Sequence, residues 1–199
     1  MRILPADQEG SLEEALNIIR QGGIVAHPTE TCYGFACDLT NPDAKARLSL
    51  LKKRPKNQPV SALFASIDEA KKWVEWNDKA EELAKKYLPG PLTIILPSRC
   101  QVSDIRYQET LGVRVSSHPV AQRLAELCEV PLSTTSANLH GYPEPYSAEE
   151  IFEQFQEQDL QPDLILDAGV LPRTPPSTIV DLTEGTPKIL RQGSTVIYC

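Results

Sequence analysis

The sequence predicts an α/β domain built on one twisted mixed open sheet with helices on its flanks. Two observations carry this reading: helical and strand-like hydrophobic patterns alternate from one end of the chain to the other, and most strand candidates are short and β-branched. A third bounds it. At 199 residues the chain suits one domain, or at most two small ones, and no repeat or low-complexity tract divides it, so a single domain over 1–199 is expected.

Ser11-Leu-Glu-Glu14 reads as a capping box opening a helix with apolar positions Leu12, Ala15, Ile18 and Ile19, which Gly22-Gly23 closes. A short strand over 24–27 follows. Asn41 and Pro42 place a cap and a first-turn proline before a second helix running to Lys52, and 60–65 reads as a strand. Helices open at Ser66-Ile-Asp-Glu69 and Asp78-Lys-Ala-Glu81, the second stopped by the turn Pro89-Gly90-Pro91. Beyond it come a strand over 92–96, a loop over 98–109, a strand over 111–115, a helix over 119–128, and a strand over 132–134 entering a polar loop. Ser147-Ala-Glu-Glu150 caps a further helix, and the tail supplies strands over 164–167, 178–182 and 188–191.

Hydrophobic residues make up 41% of the chain and charged ones 24%, as in soluble globular proteins. The formal net charge of −7 argues against nucleic-acid binding by the whole surface, while a local basic groove stays open. There is no apolar run of membrane-spanning length and the N-terminus lacks a signal-peptide core, so a cytoplasmic protein is expected. Five unevenly spaced cysteines without a C-x-x-C indicate reduced thiols rather than disulfides or a zinc site. His27, His118 and His140 are too scattered to propose as a metal set. Phosphate-loop, dinucleotide, zinc-protease and hydrolase-elbow motifs are missing, and neither Cys32 nor Ser136 has a histidine in a recognised nucleophile arrangement.

Against that acidic background, four cations fall within Lys52-Lys53-Arg54-Pro55-Lys56. Pro55 biases the preceding residue away from helix, and in an extended segment side chains two apart share a face. Lys52 and Arg54 would then aim at one target, a phosphate group being well suited, with Lys53 turned aside. The same cluster also reads as helix-end capping, favoured by the macrodipole by about 0.3–1 kcal/mol per cation.

Three polar segments follow predicted strands, where ligands of open α/β sheets usually bind. Pro28-Thr29-Glu30-Thr31-Cys32-Tyr33-Gly34 is either an ordinary turn or a set of groups orienting a small polar ligand. Ser133-Thr134-Thr135-Ser136-Ala137-Asn138 can hold phosphate or sugar oxygens without adding charge, or can satisfy its own backbone. Pro175-Pro176-Ser177-Thr178 is accompanied by Arg191 on a later strand and Arg114 on an earlier one; each arginine is either a surface or ion-pair residue or part of an anion site.

In this order the segments resemble the YrdC family, and within it the single-domain threonylcarbamoyl-AMP synthases. The resemblance rests on GGIVAHPTETCYGF at 22–35, KKRP at 52–55, LPGPLT at 88–93, GVRV at 112–115, STTSAN at 133–138, PSTIVDL at 176–182 and ILRQG at 189–193, nearly the whole chain. It implies a YrdC-like sheet with a concave substrate cleft, and a transferase that condenses L-threonine, bicarbonate or CO2, and ATP into threonylcarbamoyl-adenylate and pyrophosphate. A downstream threonylcarbamoyl transferase complex would then modify tRNA; direct contact with tRNA or double-stranded RNA is left open, and no membrane is involved. Such chemistry needs no protein nucleophile, because the threonine amine attacks the one-carbon unit and the carbamate attacks the α-phosphate.

Carried over by position, the resemblance implies Lys52 and Arg54 as the catalytic pair on the phosphates, with Gln58, Thr110, Ser136, Asn138 and Arg191 also on the ATP side. Thr31, Arg114, Thr134 and Ser177 would recognise threonine, Arg114 through its carboxylate. Mg2+ would accompany ATP, held mainly by phosphate oxygens and water, with no dedicated protein cage. Gln58 departs from the Lys or Asn common in the family, Leu63 from a His of some relatives, and Cys32 and Phe35 from Val and Leu. A non-catalytic RNA-binding or ribosome-maturation factor on the same fold is the alternative. A carbamoyl-transfer enzyme of the hydrogenase-maturation type fits less well, since the chain has no room for its further domains.

Overall fold

The computed structural model describes residues 1–54, 60–99, 109–184 and 186–197. Along them run β1 (Arg2–Pro5), α1 (Ser11–Arg20), β2 (Val25–His27), β3 (Gly34–Ala36), α2 (Pro42–Leu51), β4 (Ser61–Leu63), α3 (Ile67–Lys71), α4 (Asp78–Tyr87) and β5 (Leu92–Pro97). Then come β6 (Thr110–Arg114), α5 (Pro119–Cys128), β7 (Leu132–Ser133), β8 (Thr135–Ser136), α6 (Ala148–Phe155), β9 (Leu164–Asp167), β10 (Thr178–Asp181) and β11 (Lys188–Arg191).

The mixed α/β architecture is the expected one, and its strands are shared between two sheets rather than gathered in one. The first has the order β1-β9-β2-β3-β8 and the second β11-β10-β5-β6-β4-β7. The segment expected as one strand over 132–134 is where they meet: β7 pairs with β4 and β8 with β3, so the chain changes sheets at Thr134. Ser133 ties the crossing. Its backbone lies beside Ala62, while its hydroxyl donates to the Phe35 carbonyl and accepts from the Cys37 amide, both at 2.9 Å.

Alternation along the second sheet separates core from cleft. Leu92, Ile94 and Leu96 of β5, Leu111 and Val113 of β6, and Val180 of β10 turn to one face, where they pack with residues of α3 and α4. The first sheet covers its apolar face with α2 and α6, through Phe35, Leu48, Leu51, Ile151 and Phe155, and the Phe35 and Phe155 rings meet edge to face at 5.5 Å. Phe35, one of the departures from the family pattern, is thus a packed core residue. Leu63, another, is wholly buried with α1 and α5 in a third cluster. Cys32, Cys37 and Cys128 are buried free thiols, and no described helix is long and apolar enough to cross a membrane.

Helix ends follow the expected chemistry in most places. Asn41, Ser66 and Ser147 each accept amide hydrogen bonds in the first turn of the helix they cap. At α4 the cap lies one residue earlier than expected, at Asn77. At α1 the capping box does not form: Gly10, at φ 83°, is the N-cap, and Ser11 sits inside the helix with its buried hydroxyl unpaired among the described residues. The chain enters α1 from a tight turn that only glycine accommodates easily, which moves the serine past the capping position.

The end of α2 corrects the reading of the basic cluster. Lys53 N–H donates to Leu50 O and Arg54 N–H to Ser49 O, both at 3.0 Å, a Schellman closure with Lys53 at φ 50°. Gly22 and Gly23 close α1 the same way, donating to Ile19 O and Ile18 O. Lys52 is therefore still helical, not extended, and Lys52 and Arg54 are separated by a left-handed turn rather than carried on one strand face.

Candidate functional site

The polar face of the second sheet and the two expected polar loops enclose a cavity of about 330 Å³, within the usual range of small-molecule sites. Its floor comes from positions alternate to the core: Ser61 of β4, Thr93 and Ile95 of β5, Gly112 and Arg114 of β6, and Ile179 of β10. Gly112 is required there, because a Cβ would stand 2.4 Å from Ser61 Oγ. Thr29, Thr31, Cys32 and Gly34 form one wall and Thr134 to Ser136 another, and Ser177 and Arg191 complete the lining.

Three guanidinium groups, Arg54, Arg114 and Arg191, line this one cleft, with the Glu144 carboxylate also in its lining. Arg114 is the most enclosed, at 8% exposure. Its Nη2 donates to Glu30 Oε1 at 2.7 Å and to Thr31 Oγ1 at 2.9 Å, while its buried Nε has no partner among the described residues. Glu30 is held in turn by the Ser116 hydroxyl and by the Ser117 amide at 3.2 Å. Burial alone would raise the Glu30 carboxyl, but Arg114 and the Ser116 hydrogen bond outweigh it and hold the group below its ordinary range.

Arg191 is held differently. Its Nε donates to Ser177 O at 3.0 Å and its Nη2 to Ser177 Oγ at 3.1 Å, and that hydroxyl also meets Thr93 Oγ1 at 3.1 Å. In the first loop Thr29 Oγ1 accepts from the Thr31 and Cys32 amides and donates to Cys32 O at 2.7 Å. The loop satisfies its own backbone, as an ordinary turn would, and still presents Thr31 to the cleft.

Lys52 lies behind the Thr134–Ser136 wall rather than in it. At 4% exposure, its Nζ donates to Ser136 O, to Asn138 O at 2.8 Å and to Asn138 Oδ1 at 3.0 Å. Ser136 Oγ donates to the same Oδ1 at 2.6 Å, and Asn138 Nδ2 donates to Tyr142 O. Burial, and then the neighbouring Arg54, push the Lys52 ammonium down to about 7. Lys53 is exposed and points away, its Nζ donating to Gln158 Oε1.

Among the expected site residues, Thr31, Arg54, Arg114, Thr134, Ser136, Ser177 and Arg191 converge on the cleft. Lys52 and Asn138 instead hold the wall from behind, so of the pair expected to point into the cleft Arg54 does and Lys52 does not. Thr110 shares the Gly112 and Arg114 face of β6 but lies outside the lining, and Gln58 lies outside the described residues. Sequence reasoning held Thr29, Glu30 and Thr135 only as members of their polar segments, with no individual role, and passed over Ser61, Thr93, Ser116 and Glu144. For Ser61 and Thr93 the signal was present, as polar residues alternating with the apolar ones of β4 and β5.

A cleft lined by arginines and hydroxyls between two mixed sheets defines an α/β protein with a pocket chemically suited to anionic small molecules. The chain belongs to the Sua5/YciO/YrdC family, whose profile, described as "Telomere recombination", matches residues 17–193. It is 36% identical over 189 residues to a threonylcarbamoyl-AMP synthase of Pyrococcus abyssi, covering 94% of this chain and 55% of that protein. It is 35% identical to the threonylcarbamoyl-AMP synthase of Vibrio parahaemolyticus, covering 92% of this chain and 99% of that one. The crystal structure of P. abyssi Sua5 complexed with L-threonine superposes with a TM-score of 0.86 at 36% identity, over 94% of this chain and 55% of that chain. The chain thus spans about half the length of the Pyrococcus relatives and nearly all of the Vibrio one.

Proposed function

We propose that this chain, acting as one YrdC-like domain in the cytoplasm, is an L-threonylcarbamoyladenylate synthase. It condenses L-threonine, bicarbonate or CO2, and ATP, releases pyrophosphate, and supplies the threonylcarbamoyl group to a downstream transferase for threonylcarbamoyladenosine formation in tRNA. The observation that carries this is the convergence on one cavity of chemically different anion-binding groups, an acid-paired Arg114 together with Arg54, Ser136 and Arg191. Relatives at 35–36% identity bearing the synthase name support it.

Arg114 receives the threonine carboxylate, with Thr31, Thr134 and Ser177 as hydroxyl partners around it. Arg54 and Arg191 take the phosphate chain, and the Ser136–Asn138 wall, fixed by Lys52, presents its hydroxyl and amides to the nucleotide. Bringing the amine to the one-carbon unit, and the carbamate oxygen in line with the α-phosphorus, is the main task; cations on the phosphates stabilise charge as pyrophosphate leaves. A Mg2+ ion would be carried on ATP by phosphate oxygens and water, with Glu144 the carboxylate of the lining, and would neutralise phosphate charge.

Mass spectrometry of a reaction containing ATP, Mg2+, L-threonine and carbon-13 bicarbonate tests the reading. A labelled threonylcarbamoyl-adenylate is expected. RNA binding with a steep salt dependence, unaffected by ATP and without that product, would support the alternative instead.

A further inference from the structure

One cleft with three arginines faces a sorting problem, since polyphosphate and carboxylate are both anions and a phosphate chain carries more charge. Arg114 and Arg191 differ in the one respect that bears on this. Arg191 is hydrogen-bonded by neutral groups of Ser177, and Glu144 of the lining acts on it through space. Arg114 is oriented by a carboxylate, Glu30, standing behind it and outside the cleft lining.

We propose that Glu30 is the specificity-determining residue that reserves the Arg114 end of the cleft for an amino-acid carboxylate and keeps phosphate chains out of it. The inference deepens the synthase reading and rests on it. Glu30 acts in two ways. By taking Nη2 together with Thr31 it fixes the guanidinium plane of an arginine that lines the cleft. By placing a negative charge directly behind Arg114, it offsets the charge of that guanidinium, which suits one carboxylate of a zwitterion better than a multiply charged phosphate chain. Ser116 and the Ser117 amide keep that charge in place from the far side, so the device is built into the start of the segment following β6. Because Glu30 touches no ligand-facing surface, it is a positioning residue and not a catalytic one.

Calorimetric displacement on the full chain tests this without turnover. Wild-type protein is titrated with L-threonine alone and in the presence of tripolyphosphate, alongside Glu30→Gln and Glu30→Asp, each checked by its thermal melt. In the wild type, threonine binding should be unchanged by tripolyphosphate. In Glu30→Gln, which keeps shape and loses charge, threonine should still bind alone, and tripolyphosphate should displace it competitively, weakening its apparent binding about tenfold. Glu30→Asp, which keeps the charge and shortens the reach, should weaken threonine binding yet still resist displacement, a pattern a merely structural role would not produce. Folded Glu30→Gln that resists tripolyphosphate as the wild type does, or Glu30→Asp that loses that resistance, overturns the inference. Wild-type protein that binds threonine and shows this selectivity but makes no adenylate overturns the synthase reading alone.

Discussion

Lys52 Nζ donates to both the backbone and side-chain oxygens of Asn138, at 2.8 and 3.0 Å, so the cation at the end of α2 is a tie across to the Ser136–Asn138 wall. Cutting the tie should cost more than charge. Lys52→Met leaves buried carbonyl oxygens without donors, each worth about 1–3 kcal/mol when unsatisfied. The variant should melt lower than wild type and bind ATP more weakly, in differential scanning calorimetry and ATP titration respectively; an unchanged melt would mean that the wall is held by other contacts.

The same residue should link nucleotide binding to protons. Its ammonium is pushed down to about 7, first by burial and then by Arg54, and a bound phosphate chain favours the charged form and raises that value. ATP binding near and somewhat above pH 7 should therefore take up protons. Calorimetry in buffers of different ionisation enthalpy measures the uptake, and Lys52→Met should abolish it.

Lys53 and Arg54 make a paired contrast. Lys53 holds the left-handed position of a Schellman closure, which costs a side chain about 1–2 kcal/mol relative to a right-handed residue and costs glycine little. Lys53→Gly should keep the activity and keep or raise stability by up to about 1 kcal/mol, the gain being limited by glycine's greater freedom in the unfolded chain. Arg54→Ala, at the next residue, should keep the fold and lose ATP binding by about tenfold or more. Circular dichroism melts and ATP titrations of the two variants separate these outcomes.

Glu30 should give the protein an acid-side weakness. Its folded-state pKa lies below the ordinary value of 4.5, so the unfolded chain takes up the proton first as pH falls. The stabilisation is fully present above the ordinary value and is lost as pH drops through the folded one. Chemical denaturation between pH 6 and pH 3, on the order of the window these pKa values define, should show a shallower decline for Glu30→Gln than for wild type.

Much of this molecule was legible in its residues, and the illegible parts have physical causes. Alternation in β5 and β6 exposed the core face, and Asn41, Ser66 and Ser147 marked helix starts by the hydrogen bonds they were expected to make. The division into two sheets was hidden because it turns on one residue, Thr134, where a polar run changes pairing partner. The Schellman closure at Lys53 was hidden because no glycine announces it, and Pro55 pointed to an extended path instead. In the site, arginines and hydroxyls were readable as types. That Lys52 and Asn138 would serve the wall, and Glu30 would back Arg114, depends on contacts between residues more than eighty positions apart.

The most direct measurement of the central claim is pyrophosphate release by the full chain with ATP, Mg2+, bicarbonate and L-threonine, each omitted in turn, alongside Arg54→Ala and Arg114→Ala. Release is expected only from the complete mixture, and is expected to be lost in both folded variants, with Arg54→Ala failing to bind ATP and Arg114→Ala failing to bind threonine. Threonine-independent release, or none from well-folded wild-type protein, would contradict the account.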